Sequence, residues 1–299
     1  MKRPRGFSAL VCALALLALT VNAGEARSQP VRFLIMHYTT LNYAASLKKL
    51  SQPDENGSRV SAHYLIPEDG DASFSEPQLL AQPIIAEDRV AWHAGISRWE
   101  QWRGLNEMSI GIENVNTTHC QEPETSVGPG VPEAPPCFYQ DYSPAQLDML
   151  LALSKRILAR YPEISPTHVL GHADIAATRK ADPGPRFPWQ WLYRHGVGAW
   201  YEEATQLRYW KQWRDKPLDI ALLQRALQAY GYAIAVTGQY DLQTRDHLLA
   251  FQAHFRPHEM TGKPSAATLA TALALLDKYF PERLEAMMRS DKNPAELAR

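Results

Sequence analysis

The chain has 299 residues, of which 45% are hydrophobic and 21% charged, with a formal net charge of −1. That length supports a full core and one large domain or two. The balanced charge leaves no basic field, which excludes a charge-driven nucleic-acid partner.

Lys2, Arg3 and Arg5 precede an apolar run from Phe7 to about Val21, and Val21-Asn22-Ala23 supplies small residues before Gly24. This is the pattern of a secretory signal over residues 1–23, and it predicts an exported protein. The run is short for a membrane-spanning helix, which needs about 20 apolar residues. Val11 suits a lipidated cysteine poorly, so a lipid anchor on Cys12 is not expected. Removing the segment takes away three positive charges and no negative one, so the formal charge becomes −4.

Val31 to Tyr38 is a nearly continuous apolar run and predicts a buried strand with His37 near its end. Ser61 to Pro67, Gln82 to Glu87, Val90 to His93 and Ser109 to Asn114 predict further strands. The last of these carries Glu113. Cys120 and Cys137 lie in a stretch from Thr117 to Gln140 rich in Pro, Gly and Glu. In an exported protein the expected state is a disulfide closing that loop. Zinc is the alternative there, although no nearby CxxC or paired histidines complete four ligands.

Ser143, Pro144 and Gln146 form a helix start with a capping-box pattern. Leu147, Leu150, Leu151, Ser154, Ile157, Leu158 and Tyr161 keep helical spacing until Pro162. Thr167 to His172 predicts a short strand that delivers His172. Strands alternating with helices predict an α/β domain over residues 30–198 with a mixed central β-sheet flanked by helices. Residues 199–216 are expected to be a linker with a helix. Leu218 to Tyr230, Asp241 to Phe255 and Ser265 to Phe280 predict a small three-helix domain over 217–283.

Of the ten histidines, His119, His168, His195, His247, His254 and His258 show no partner pattern and are expected to be ordinary core or surface residues. His37 and His172 end strands, and Asp182 follows in a Pro/Gly turn. Two imidazoles and a carboxylate are a common catalytic zinc set with a fourth position for water. His172-Ala173-Asp174 with a downstream histidine also matches the ligand pattern of non-haem iron oxygenases. His195 lies close for that purpose and His247 falls in the helical tail.

FLIMHYT, VSAHYLI, AWHAGIS, SIGIEN and GHADIAATRKADPGPRFPW occur in that order. Together they resemble the zinc-dependent N-acetylmuramoyl-L-alanine amidases of the amidase-2 family. The likeness is greatest to outer-membrane members with a C-terminal peptidoglycan-binding domain; anhydro-muropeptide amidases and phage amidase-type lysozymes are more distant. The resemblance implies one Zn2+ held by His37, His172 and Asp182, with Glu113 as acid/base and Lys180 as oxyanion stabiliser. It implies a periplasmic enzyme acting as a monomer on peptidoglycan or muropeptides, with association to the outer membrane a further expectation. His63 and His93 fall in matching motifs as cleft residues or as supports behind the ligands. Trp92 and Trp189 are expected to line the substrate groove. The segments LLQRALQAYGY, TGQYDLQTRDHLLAFQAHF and GKPSAATLATAL resemble a peptidoglycan-binding domain. The 117–140 stretch is longer than the family pattern, either as a lid or as a neutral insertion. A recognition module that binds without cutting and an antibacterial amidase toxin are the competing functions. The filled ligand set argues against the first and the ordinary signal against the second.

Overall fold

The computed structural model describes residues 24–53, 57, 59–120, 131 and 136–292. The signal segment, Cys12 and most of the 117–140 stretch lie outside the described residues.

The apolar run at the start becomes β1 (Phe33–Thr39), whose first five side chains are buried. Asn42 caps α1 (Tyr43–Ser51) by accepting from the Ala45 N–H. There follow β2 (Tyr64–Ile66), β3 (Gln82–Pro83) and the small hairpin β4 (Arg98–Trp99) and β5 (Trp102–Arg103). β6 (Ser109–Val115) is the second long strand. β7 (His119–Cys120) and β8 (Cys137–Phe138) pair antiparallel, and a Cys120–Cys137 disulfide joins them. The helix α2 (Pro144–Arg160) precedes β9 (Val169–Gly171) and a single turn, α3 (His172–Ile175).

The main sheet has the order β3-β2-β6-β1-β9. β1 runs parallel to both β6 and β9, β2 runs parallel to β6, and β3 alone is antiparallel. The sheet is therefore mixed, as expected. The C-terminal ends of its central parallel strands converge, the place where open α/β sheets build their sites. Phe33, Leu34, Ile35 and Met36 are fully buried in the main core. Each such side chain contributes about 1.5–3 kcal/mol by leaving water.

The strand expected over Gln82 to Glu87 is met only at Gln82–Pro83, and the one expected over Val90 to His93 does not form. Past Pro83 the chain leaves the sheet, and residues 84–93 form a loop. Val90 N–H instead donates to Glu25 O, and Arg27 ties the N-terminal segment down through Glu87 O, Glu107 O and Ser109 O. The start of α2 is half as expected. Ser143 accepts from the Gln146 N–H, but the Gln146 side chain turns inward and donates to Val115 O. It holds the helix to the sheet rather than closing a capping box.

The remainder is helical: α4 (Trp189–Arg194), α5 (Glu203–Trp213), α6 (Ile220–Tyr230), α7 (Leu242–Phe255), α8 (Ala266–Tyr279) and α9 (Pro281–Lys292). The expected three helices are α6, α7 and α8. The segment read as a linker with a helix contains α5, which packs along α8, and α9 adds a further helix. One hydrophobic core runs through the sheet and the helical part. At the seam Gly231 adopts φ +145°, and a Cβ there would stand 2.5 Å from the Trp99 ring. Glycine lets the fully buried indole seat against the backbone. No helix of the described residues is long and apolar enough to cross a membrane.

Candidate active site

Three elements bring the candidate ligands together. His37 lies in β1, His172 opens α3 directly after β9, and Asp182 follows in the Pro-Gly turn. Ala173 N–H donates 2.8 Å to Asp182 O, pinning that turn to α3. His37 Nδ1 lies 3.1 Å from His172 Nδ1 and 3.0 Å from Asp182 Oδ2, and His172 Nδ1 lies 3.2 Å from the same oxygen. All three residues are buried.

The hydrogen-bond partners behind them assign the protons to particular nitrogens. Ser109 Oγ donates to Leu105 O at 2.6 Å, leaving its lone pairs to accept from His93 Nε2 at 3.1 Å. With its proton on Nε2, His93 accepts at Nδ1 from His37 Nε2, 2.9 Å away. His37 Nδ1 is therefore a bare lone pair. His172 Nε2 faces Ala94 O at 3.2 Å, which can only accept, and the more distant Arg179 Nη2 at 3.5 Å; with its proton directed to the nearer Ala94 O, its Nδ1 is bare as well. Two imidazole lone pairs and a carboxylate converge within hydrogen-bond range with no donor among them. Such a set needs a cation, and its donors fit zinc. Burial pushes the pKa of His37 down to about 4, against the pull of Asp182.

The ligand set opens on a cavity of about 270 Å³ lined by Tyr38, Thr39, Lys49, Trp92, His93, Glu113, His172, Lys180 and Asp182, among others. Glu113 Oε2 is shielded from solvent and has no hydrogen-bond partner among the described residues. Burial first, then the nearby Asp182 charge, raises the Glu113 pKa well above normal, while Lys180 and Lys49 oppose this. A cation at the three donors lowers it again, since a bound ion is the largest local charge in such a site. Lys180 is exposed at the cavity wall. Lys49 lies in the last turn of α1, where one basic residue among several gave no signal in the sequence.

His93 is both a cavity residue and the support of His37. His63 is not a cleft residue. It is fully buried, its Nδ1 accepts from Gly111 N–H at 2.9 Å, and Arg27 Nη2 lies 2.6 Å from its Nε2. Burial and that guanidinium push its pKa down to about 3. Trp92 is 45% exposed at the cavity. Trp189 is not in the groove: it is buried, with its ring stacked 3.8 Å from that of His254. Asp174 faces away from the ligand set, towards Tyr232 and His254, which removes the iron-type alternative. Arg179, unremarked in the sequence, donates to Ala94 O and Ile96 O and locks the loop that His172 touches.

A mixed sheet that brings together three buried groups able to hold a metal ion, beside an unpartnered acid in an open cavity, is the framework of a hydrolase site. Residues 27–185 match the family of N-acetylmuramoyl-L-alanine amidases (Amidase_2), and residues 217–271 match the peptidoglycan binding domain family. The chain is 37% identical over 265 residues to N-acetylmuramoyl-L-alanine amidase AmiD of Escherichia coli strain K12, covering 87% of each. The structure of AmpDh3 from Pseudomonas aeruginosa superposes with a TM-score of 0.74 and 39% identity, over 91% of this chain and 99% of that one. The E. coli AmiD structure, complexed with anhydro-N-acetylmuramic acid-L-Ala-D-γ-Glu-L-Lys, gives a TM-score of 0.70 at 36% identity, over 85% and 93%. The chain belongs to the Amidase_2 family and is an N-acetylmuramoyl-L-alanine amidase.

Proposed function

We propose that this amidase uses one zinc ion to cleave the amide between the lactyl group of N-acetylmuramic acid, or its anhydro form, and L-alanine of the stem peptide. The observation that carries the reading is the convergence of three potential ligand atoms of His37, His172 and Asp182 in the site whose cavity also holds the unpartnered Glu113 Oε2. When bound, zinc supplies Lewis acidity and brings the pKa of a water toward ~7. Glu113 takes the proton of the attacking water and returns it to the leaving amine of L-alanine. Lys180 faces the cavity and steadies the negative oxygen that develops on the carbonyl. His93 and Ser109 hold His37 in its bonding tautomer, and Trp92 packs against the sugar or peptide at the mouth.

Residues 30–198 form the catalytic domain in this reading. Residues 217–283 form a wall-binding unit, joined by 199–216. The protein is exported as a monomer to the periplasm, acts in wall turnover or recycling, and associates with the outer membrane without a lipid on Cys12. Support comes from the signal pattern, the two family matches and the substrate-bound relatives. The test is incubation of the mature chain with purified peptidoglycan and with anhydro-muropeptides, with and without a chelator. Release of free stem peptide, abolished by the chelator and restored by zinc, is expected. Its absence with zinc present overturns the reading.

A further inference from the structure

Asp174 sits two residues past His172, yet both its oxygens point into the helical part of the chain. It is 3% exposed and accepts three hydrogen bonds: Oδ1 from Tyr232 Oη at 2.5 Å, and Oδ2 from His254 Nδ1 at 2.7 Å and from Gly171 N–H at 2.8 Å. Two of these donors belong to the helical part. The third is the backbone N–H just before His172, so the same carboxylate caps the turn that carries a ligand. That turn also holds the third ligand, through the Ala173 N–H to Asp182 O bond.

We infer that Tyr232 and His254 are positioning residues for the metal site, acting through Asp174 on His172 and Asp182. The inference rests on the zinc reading given above. A buried carboxylate keeps one orientation only while its donors are in place. Without them Asp174 turns to find other partners, and the Gly171 bond and the start of α3 shift with it. A metal site tolerates about 0.5 Å of such movement. Trp189 and Phe255 stack on the two faces of the His254 ring, at 3.8 and 3.9 Å between centroids, which fixes the ring plane and aims Nδ1. The helical part thus has a task separate from gripping cell wall: it holds the floor of the zinc site.

The experiment uses the full mature chain. Tyr232→Phe and the double variant Tyr232→Phe/His254→Phe keep the rings and remove the donors. His254→Asn returns an amide donor near the Nδ1 position. Leu275→Ala, fully buried in α8, is the control for general loss of stability. Zinc affinity is read by competition with a chromogenic chelator, and ligand geometry by the visible absorption of the cobalt-substituted protein. The zinc dissociation constant is expected to rise about 10–100-fold in the double variant, with a changed cobalt spectrum. Tyr232→Phe falls between it and the wild type, His254→Asn lies closer to wild type than the double variant, and Leu275→Ala leaves both readouts unchanged. If the wild type binds zinc tightly and both Phe variants stay within twofold of it, the positioning role is overturned and the zinc reading stands. If the wild type binds no zinc, both are overturned.

Discussion

His37 and Glu113 stand opposite one another in register on the parallel strands β1 and β6. Paired residues of neighbouring parallel strands face the same side of a sheet, with the backbones about 4.8 Å apart. A ligand and an acid are thereby placed side by side, with no loop needed to bring them together. Glu113→Gln keeps the shape and removes the proton carrier. Its turnover of anhydro-muropeptide is expected to fall about 10²–10⁴-fold with zinc content unchanged. Zinc lost from this variant would make Glu113 a ligand instead.

Removing a ligand acts differently. Asp182→Ala is expected to purify with little zinc and no activity. Chelation lowers the melting temperature of the wild type, because an ion that binds only the folded chain stabilises it by about 2.7 kcal/mol at a hundredfold excess over its dissociation constant. The melting temperature of Asp182→Ala should not respond to the chelator.

Gly111 provides a test of the His93 support without touching a ligand. A Cβ at Gly111 would lie 2.5 Å from His93 Cγ. Gly111→Ala therefore pushes the ring off His37. Zinc affinity is expected to drop about 10–100-fold, as for other changes behind a ligand. An unchanged affinity would show that His37 keeps its tautomer without His93.

Trp92→Ala removes a half-exposed ring from the cavity mouth. Aromatic packing of this kind is worth about 0.5–1.5 kcal/mol, so KM should rise up to about tenfold with kcat little changed. A fall in kcat with constant KM would contradict a role in holding substrate.

The seam predicts a pH effect on stability. Burial disfavours the charge on Glu100, but His168 and Arg283 overcome it and keep its pKa below the usual value. A depressed carboxylate stabilises the fold fully above its unfolded pKa of ~4.3, and that contribution is lost as pH falls through the folded value. The stability gap between wild type and Glu100→Gln should therefore be constant at neutral pH and close below about pH 4. Urea titrations at several pH values check this; a gap that widens in acid contradicts it.

Much of the site was legible because its signals are local. β1 reads as a buried strand since parallel strands are apolar on both faces, and His37 marks the place where that run ends at the cavity. His172 and Asp182 lie ten residues apart within one dense motif. The misses come from contacts distant in sequence. Val90 to His93 has the composition of a strand, but its backbone bonds to the N-terminal segment. Trp189 looked like a groove residue because tryptophan often is one, and only its stacking on His254, 65 positions later in the sequence, sends it to the core. The His254–Asp174 pair spans 80 residues and leaves no spacing pattern. Gln146 has the capping-box identity, yet the carbonyl of Val115 at the end of β6 takes its amide.

Trp99 seated against Gly231, with Glu100 N–H donating to Gly231 O at 2.8 Å, closes the seam by packing and by backbone at one place. A joint of this kind resists movement of the helical part against the sheet. If the helical part grips a strand of wall as proposed, that strand would reach the cavity at a distance and angle set by this joint, as between the jaws of a caliper, and the choice of bond would depend on that span as well as on the cavity's own shape.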